Sequence, residues 1–208
     1  MTFQLKYSEV LNGLFEPGAL NLMMIFQVNC PGCFLQGFPQ MISLHAKYQD
    51  RISCFALSTA FEDFDFNTTE NVKLLLEENY LTGETRKAFD TNRLTWNEVI
   101  PFPVLVDSMI AREDMLQRHF IDRIISNYEQ FSGVLEPEIA KMETSLHYYF
   151  NHYQSCGFTF ASNLLQGTPT FVLFNANMDI LLQWFGHVNS QTIEKQLDKY
   201  LSYCCKNE

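Results

Sequence analysis

The sequence predicts an α/β fold: a central mixed β-sheet flanked by helices, carrying a helical-hairpin insertion at about 108–160 within one domain spanning 1–208. Three observations predict it. Residues 22–58 read as apolar run, helical stripe, apolar run, the order of a right-handed βαβ unit with parallel pairing. Residues 167–201 read as strand, turn, strand, helix. Between these, two long amphipathic stripes replace the strand pattern.

Taken in order, LMMIFQV (22–28) is a continuous apolar run, the signature of a strand buried on both faces. After CPGC (30–33), Phe34, Leu35, Phe38, Ile42, Leu44 and Tyr48 form an apolar stripe that predicts a helix over 34–48. Pro31 would sit in its first turn, where a missing N–H is harmless, and Pro39 should kink it. ISCFALS (52–58) is the second buried strand. Asn67, with Glu70 three residues on, marks a helix start, and Val72, Leu75, Leu76 and Tyr80 carry its period. PFPVLVD (101–107) is a short strand.

From Ser108 the pattern changes. Leu116, Phe120, Ile121, Ile124, Ile125 and Tyr128 share one helical face. Gly133 and Pro137 punctuate a turn, and Ile139, Met142, Leu146, Tyr149, Phe150 and Tyr153 make a second face. This predicts an antiparallel helical hairpin covering part of the core near the site and shaping its substrate surface. GTPTFVLF (167–174) and ILLQWF (180–185) are strands joined by the turn NANMD. Ser190 is expected to cap a last helix whose buried face is Ile193, Leu197, Tyr200 and Leu201.

With 208 residues, 47% hydrophobic, and 19 Phe, the chain can build a sizeable core. Its net charge of −10 argues against nucleic acid and against an anionic membrane surface, because both need a basic face. No run approaches the roughly 18 apolar residues of a spanning helix. The start, MTFQLKYSEVLNGLF, lacks a basic region followed by an apolar one, so a cytoplasmic location is expected, or a periplasmic or secreted one if a leader has been removed.

The six cysteines stand at 30, 33, 54, 156, 204 and 205, too unevenly for a small secreted disulfide framework. A C-x-x-C can hold a metal, form a static disulfide or cycle between dithiol and disulfide. Zinc needs about four ligands, and no second C-x-x-C or H-x-x-x-H is present. No metal or cofactor is therefore expected, and redox cycling is the main reading. A cysteine at a helix start meets unpaired N–H groups and the positive end of the helix dipole, which favour a thiolate at Cys30. Cys54 reads as a small buried hydrophobe. Cys156 is either structural or a third redox thiol. Cys204 and Cys205 fall at a helix end, the five histidines show no ligand spacing, and the acidic run FEDFDF reads as a solvated loop.

CPGC after a buried strand, FPVLVD in the middle, and GTPTFVLFNANMDILLQWFGHV near the end together resemble the thioredoxin-like superfamily, and within it the redoxin branch of TlpA-type thiol-disulfide oxidoreductases. The resemblance covers 20–60 and 100–108, and 165–202 best. It implies that Cys30 attacks a disulfide and Cys33 resolves the mixed disulfide. It also implies that Thr168–Pro169 is a cis bond beside the dithiol, and that Pro31, Gly32, Thr168 and Pro169 bind substrate. The implied partners are a protein or small-molecule disulfide or dithiol and a redox partner. Two departures are visible: Asn29 replaces the usual Trp before the first cysteine, and LMMIFQV holds no buried acid.

Other readings stay open. A DsbA-like oxidase or isomerase also carries a helical insertion, although FPVLVD ahead of the insertion favours the redoxin order. NCPGC is similar to the TPGC stretch of peroxiredoxins, with Cys33 in the peroxidatic place. That chemistry needs a Thr where Cys30 stands and a Pro where Phe26 stands. The remaining alternative is a non-catalytic binding module of the same fold.

Overall fold

The computed structural model describes residues 1–132 and 136–204. Six strands form the main sheet: β1 (Tyr7–Asn12), β2 (Leu20–Phe26), β3 (Ser53–Ser58), β4 (Val104–Asp107), β7 (Thr170–Asn175) and β8 (Ile180–Phe185). Their order is β1-β4-β3-β2-β7-β8. The pairs β2–β3 and β3–β4 are parallel, while β1–β4, β2–β7 and β7–β8 are antiparallel. The sheet is thus mixed, as expected. A short pair, β5 (Met109–Ala111) with β6 (Ser155–Gly157), stands apart.

Strand β2 is buried over its whole length, and its side chains alternate between two cores. Leu22, Met24 and Phe26 face one core, closed by α1 (Phe38–Tyr48), α2 (Thr69–Glu78) and α8 (Ser190–Cys204). Met23 and Ile25 face the other, closed by α5 (Arg118–Ser132), α6 (Glu136–Phe150) and α7 (Phe158–Ser162). The period of two in the strand makes this division unavoidable once both faces are covered. The stripe Phe120, Ile121, Ile124 and Ile125 is buried, with Leu146 and Phe150 opposite. The helical segment after Ser108 therefore packs on one face of the sheet.

Several expectations change. The stretch after CPGC is not one continuous α-helix: residues 33–37 form a π turn, in which the Phe38 N–H bonds to the Cys33 carbonyl five residues back, and α1 follows. Pro39 has no N–H to give the Leu35 carbonyl, and its ring would crowd that carbonyl, so the backbone widens just before it. The added residue per turn shifts the apolar phase. Met41 becomes buried and Leu35 is 39% exposed.

The cap of α2 is Thr68, whose hydroxyl accepts from Asn71 N–H, rather than Asn67. The cap of α8 is Asn189, accepting from Gln191 N–H, rather than Ser190. Tyr80 is exposed. The turn assigned to Gly133 lies outside the described residues, and Pro137 falls in the first turn of α6. Strand β1, the short helix α4 (Arg112–Met115) and α3 (Gly83–Asn92) were not anticipated. Apart from Thr85 and Phe89, α3 offers no fully buried residue, so it leaves little periodic signal. None of the described helices is long and apolar enough to cross a membrane.

Candidate active site

The chain leaves β2 at Phe26 and turns tightly. Cys30 N–H bonds the Gln27 carbonyl at 3.2 Å, and Cys33 N–H bonds the Cys30 carbonyl at 3.0 Å. This closes CPGC into the first helical turn, with Cys30 partly exposed and Cys33 fully buried. All four cysteines at 30, 33, 54 and 156 are free thiols. The other end of the chain arrives at the same place. The Thr168–Pro169 peptide is cis, and the Thr168 carbonyl lies 3.4 Å from the Cys30 sulfur. Pro31 opens the helical turn, and Pro169 lies 3.8 Å from the place a Cβ on Gly32 would occupy. The six residues singled out in the sequence are thus brought together.

The two thiols titrate in opposite directions. The Cys33 thiol donates to the Cys30 sulfur, and together with the Thr168 side chain and the amides of Cys33 and Gly32 it lowers Cys30 from 9.0 to about 6, against the cost of burial. Burial, reinforced by that same donation and by the Cys30 charge, holds Cys33 well above 9.0. The arrangement keeps one partly exposed thiolate beside one buried thiol.

Residues not expected at the site hold this turn in place. Asn29 is buried. Its amide nitrogen donates to Asp63 at 2.8 Å, its side-chain oxygen accepts from Glu84 N–H at 2.6 Å, and its backbone N–H bonds the Asn67 side chain at 3.0 Å. Asn29 therefore caps α3 from outside, where Thr82 makes no side-chain cap. Gly83 permits this: φ is +51°, and a Cβ there would collide with the Asn29 oxygen. The acidic loop read as solvated thus supplies Asp63 to the site. Gln27 accepts from the Thr168 hydroxyl at 3.2 Å. At Gly37 a Cβ would meet the Met24 Cε at 2.7 Å and the Pro169 Cβ at 3.3 Å, so the π turn can approach Pro169 only without a side chain.

The remaining thiols lie elsewhere. Cys54, on β3, belongs to the first core, and burial raises it to about 12. Cys156, on β6, belongs to the second core, and burial raises it further. It sits across the sheet from the core that Cys30 packs against, so it is not a third member of the pair. Cys205 lies outside the described residues. Among the described residues no group of three or more His, Cys, Asp or Glu is placed to hold a metal ion.

A buried acid stands at the same end of the sheet. Asp107, at the end of β4, accepts from the Thr59 hydroxyl at 2.8 Å and from Thr159 and Phe160 N–H at 2.9 and 3.3 Å. Burial outweighs these bonds and raises its carboxyl from 3.8 to about 6.

No protein-family model matches the sequence, and no curated protein matches it either. Solved structures do. A thiol-disulfide isomerase from Corynebacterium glutamicum superposes with a TM-score of 0.60 at 20% identity, over 97% of this chain and 96% of that one. A thioredoxin-like superfamily protein gives 0.55 at 18% identity, over 97% and 96%. A thioredoxin-like protein solved in its oxidised form gives 0.53 at 15% identity, over 98% and 95%. The chain has the thioredoxin-like fold. Matches of this extent include the segment after Ser108 as well as the sheet, so its helices are part of what is shared.

Proposed function

We propose that the chain is a thiol-disulfide oxidoreductase, a single domain in which the helical segment at about 108–160 is built into the fold. The observation that carries this reading is the asymmetric pair: a thiolate at Cys30 held by the buried Cys33 thiol, beside the backbone of Thr168–Pro169.

In the reductive direction the Cys30 thiolate attacks one sulfur of a substrate disulfide. A Cys30–substrate bond forms, the substrate S–S bond breaks, and the first thiolate leaves. Cys33 then attacks the Cys30 sulfur. The mixed disulfide breaks, its proton ends on the second released thiolate, and Cys30–Cys33 becomes the disulfide. The substrate gains two electrons and the pair loses two. Run backwards, the same steps oxidise a substrate dithiol, and the potential of the pair decides the direction. Pro31 and Gly32 shape the turn, and Thr168 and Pro169 present backbone to an extended substrate. In the peroxidase alternative Cys33 would have to be the nucleophile, and its complete burial and raised titration weigh against that.

The test is the pH dependence of alkylation. One thiol should react with a midpoint near 6, and Cys30→Ser should remove it. A midpoint that follows Cys33 instead would overturn the assignment of roles. Reduction of a protein disulfide should vanish in Cys30→Ser, and Cys33→Ser should trap a mixed disulfide.

A further inference from the structure

Beside the dithiol, under the loop that carries Asp63 and Asn67, lies a cavity of about 460 Å3. The buried residues Ser58, Thr59 and Asp107 form its inner wall. Phe64 and Met109, 42% and 49% exposed, flank its mouth. Asn67 belongs to both sites, since it lines the cavity and accepts the Asn29 N–H.

Its position follows from the sheet. Thr168–Pro169 lead into β7, Cys30 follows β2, and the cavity sits at the ends of β3 and β4; the order β4-β3-β2-β7 sets these three in a row on one edge. Neighbouring strands are about 4.8 Å apart, and Asn67 joins the cavity wall to the residue before Cys30, so two or three residues of extended chain are the reach between the two sites. The carboxyl ends of parallel strands are also where open α/β sheets take their ligands.

Its chemistry is equally specific. Asp107 is fixed by three donors, and among the described residues no Lys or Arg lines the cavity or pairs with its carboxylate. The approach to it passes Phe64, Met109 and Ala60. Apolar side chains set among Ser and Thr hydroxyls, with one carboxylate at the inner wall, fit an aliphatic stem with a cationic head. Glu62, Asp63 and Asp65 on the loop above, and a net charge of −10, favour the approach of such a group.

We propose that this cavity is a substrate-recognition site that takes a Lys or Arg side chain two to three residues from the cysteine whose disulfide Cys30 attacks. The proposal rests on the oxidoreductase reading. It is tested with disulfide-bonded peptides that differ only in Lys or norleucine two or three residues from the cysteine, with neutral hydroxyethyl disulfide as a small substrate. At one of these positions kcat/KM should be about tenfold higher for Lys. Ser8→Lys places a competing cation at an exposed residue of the same cavity. It should abolish the preference and leave hydroxyethyl disulfide reduction unchanged. Asp107→Asn should act alike, and if that variant does not fold, Ser8→Lys decides alone. Equal kcat/KM for the Lys and norleucine peptides at both positions, or a preference that survives Ser8→Lys, overturns the proposal. Failure of the unaltered protein to reduce any disulfide overturns the oxidoreductase reading, and this one with it.

Discussion

Cys30 and Asp107 stand at the carboxyl ends of two parallel strands on one edge of the sheet, and each receives several hydrogen bonds. Yet they move in opposite directions, Cys30 down to about 6 and Asp107 up to about 6. The difference lies in which influence dominates. At Cys30 the donors, led by the Cys33 thiol, exceed the cost of burial. At Asp107, which is only 3% exposed, burial exceeds the donors. Position on the sheet edge therefore does not set the charge. The balance of donors against water does, and each side of that balance can be altered separately.

The largest effect concerns Cys30. A thiol that titrates at about 6 when folded and 9.0 when unfolded stabilises the reduced protein fully above pH 9, and that contribution fades as pH falls to 6. Three pH units correspond to roughly 4 kcal/mol. Denaturant unfolding of the reduced protein should therefore show stability rising from pH 6 to 9, with a flatter profile in Cys30→Ser. Cys33→Ala removes the principal donor, so the Cys30 midpoint should climb and alkylation at pH 7 should slow by about tenfold. An unchanged midpoint would mean that the helix amides hold the thiolate without Cys33.

Asp107 should show the mirror image. Its native carboxyl keeps its proton to about 6, whereas the unfolded one releases it near 3.8. The native state thus binds more protons between these values, and stability should fall as pH rises from 4 to 6. The loss is roughly 3 kcal/mol by the two-unit difference. Unfolding curves for Asp107→Asn should lack this slope. If the variant keeps it, another group titrates there and the contrast with Cys30 fails.

These two residues also differ in how far the sequence reveals them. The dithiol, the strand before it and the hairpin with its terminal helix are local patterns, visible in runs such as LMMIFQVNCPGC and GTPTFVLF. What holds the dithiol is not local. Asn29 meets Asp63, Asn67 and Glu84, which lie 34 to 55 residues away, and no period links them. The π turn escaped because a continuous apolar stripe looks the same whether or not one turn is widened. The Gly–Phe–Pro run at 37–39 was the available signal, joining a residue that admits close approach to one that cannot donate.

Asn29→Ala would remove two side-chain bonds and leave the Glu84 N–H without its acceptor. The expected cost is about 1–3 kcal/mol, read as a lower denaturation midpoint. Gly83→Ala should cost a similar amount, through its positive φ and the collision with Asn29. Combining the two changes tests the link. Once Asn29 is truncated the collision disappears, so Gly83→Ala should cost measurably less on that background. Strict additivity would show that the two residues do not act through one contact.

The smallest effect separates backbone shape from hydrogen bonding at Cys30. Gly32 has φ −62° and ψ −30°, an ordinary helical conformation that any residue adopts. A Cβ added there would lie 3.8 Å from Pro169 and 3.9 Å from the Cys30 sulfur, both normal contacts. The glycine between the cysteines is thus not required by geometry, in contrast to Gly37, where a Cβ would press on Met24 and Pro169. Gly32→Ala should stabilise the fold by about 0.4–1 kcal/mol, because alanine restricts the unfolded chain more than glycine. The backbone amide that faces Cys30 remains, so the thiol should still titrate near 6. A clear loss of stability would mean that the turn must flex between its reduced and oxidised forms. A shifted midpoint at unchanged stability would mean that solvent reaching Cys30 past Gly32 is part of what holds the thiolate.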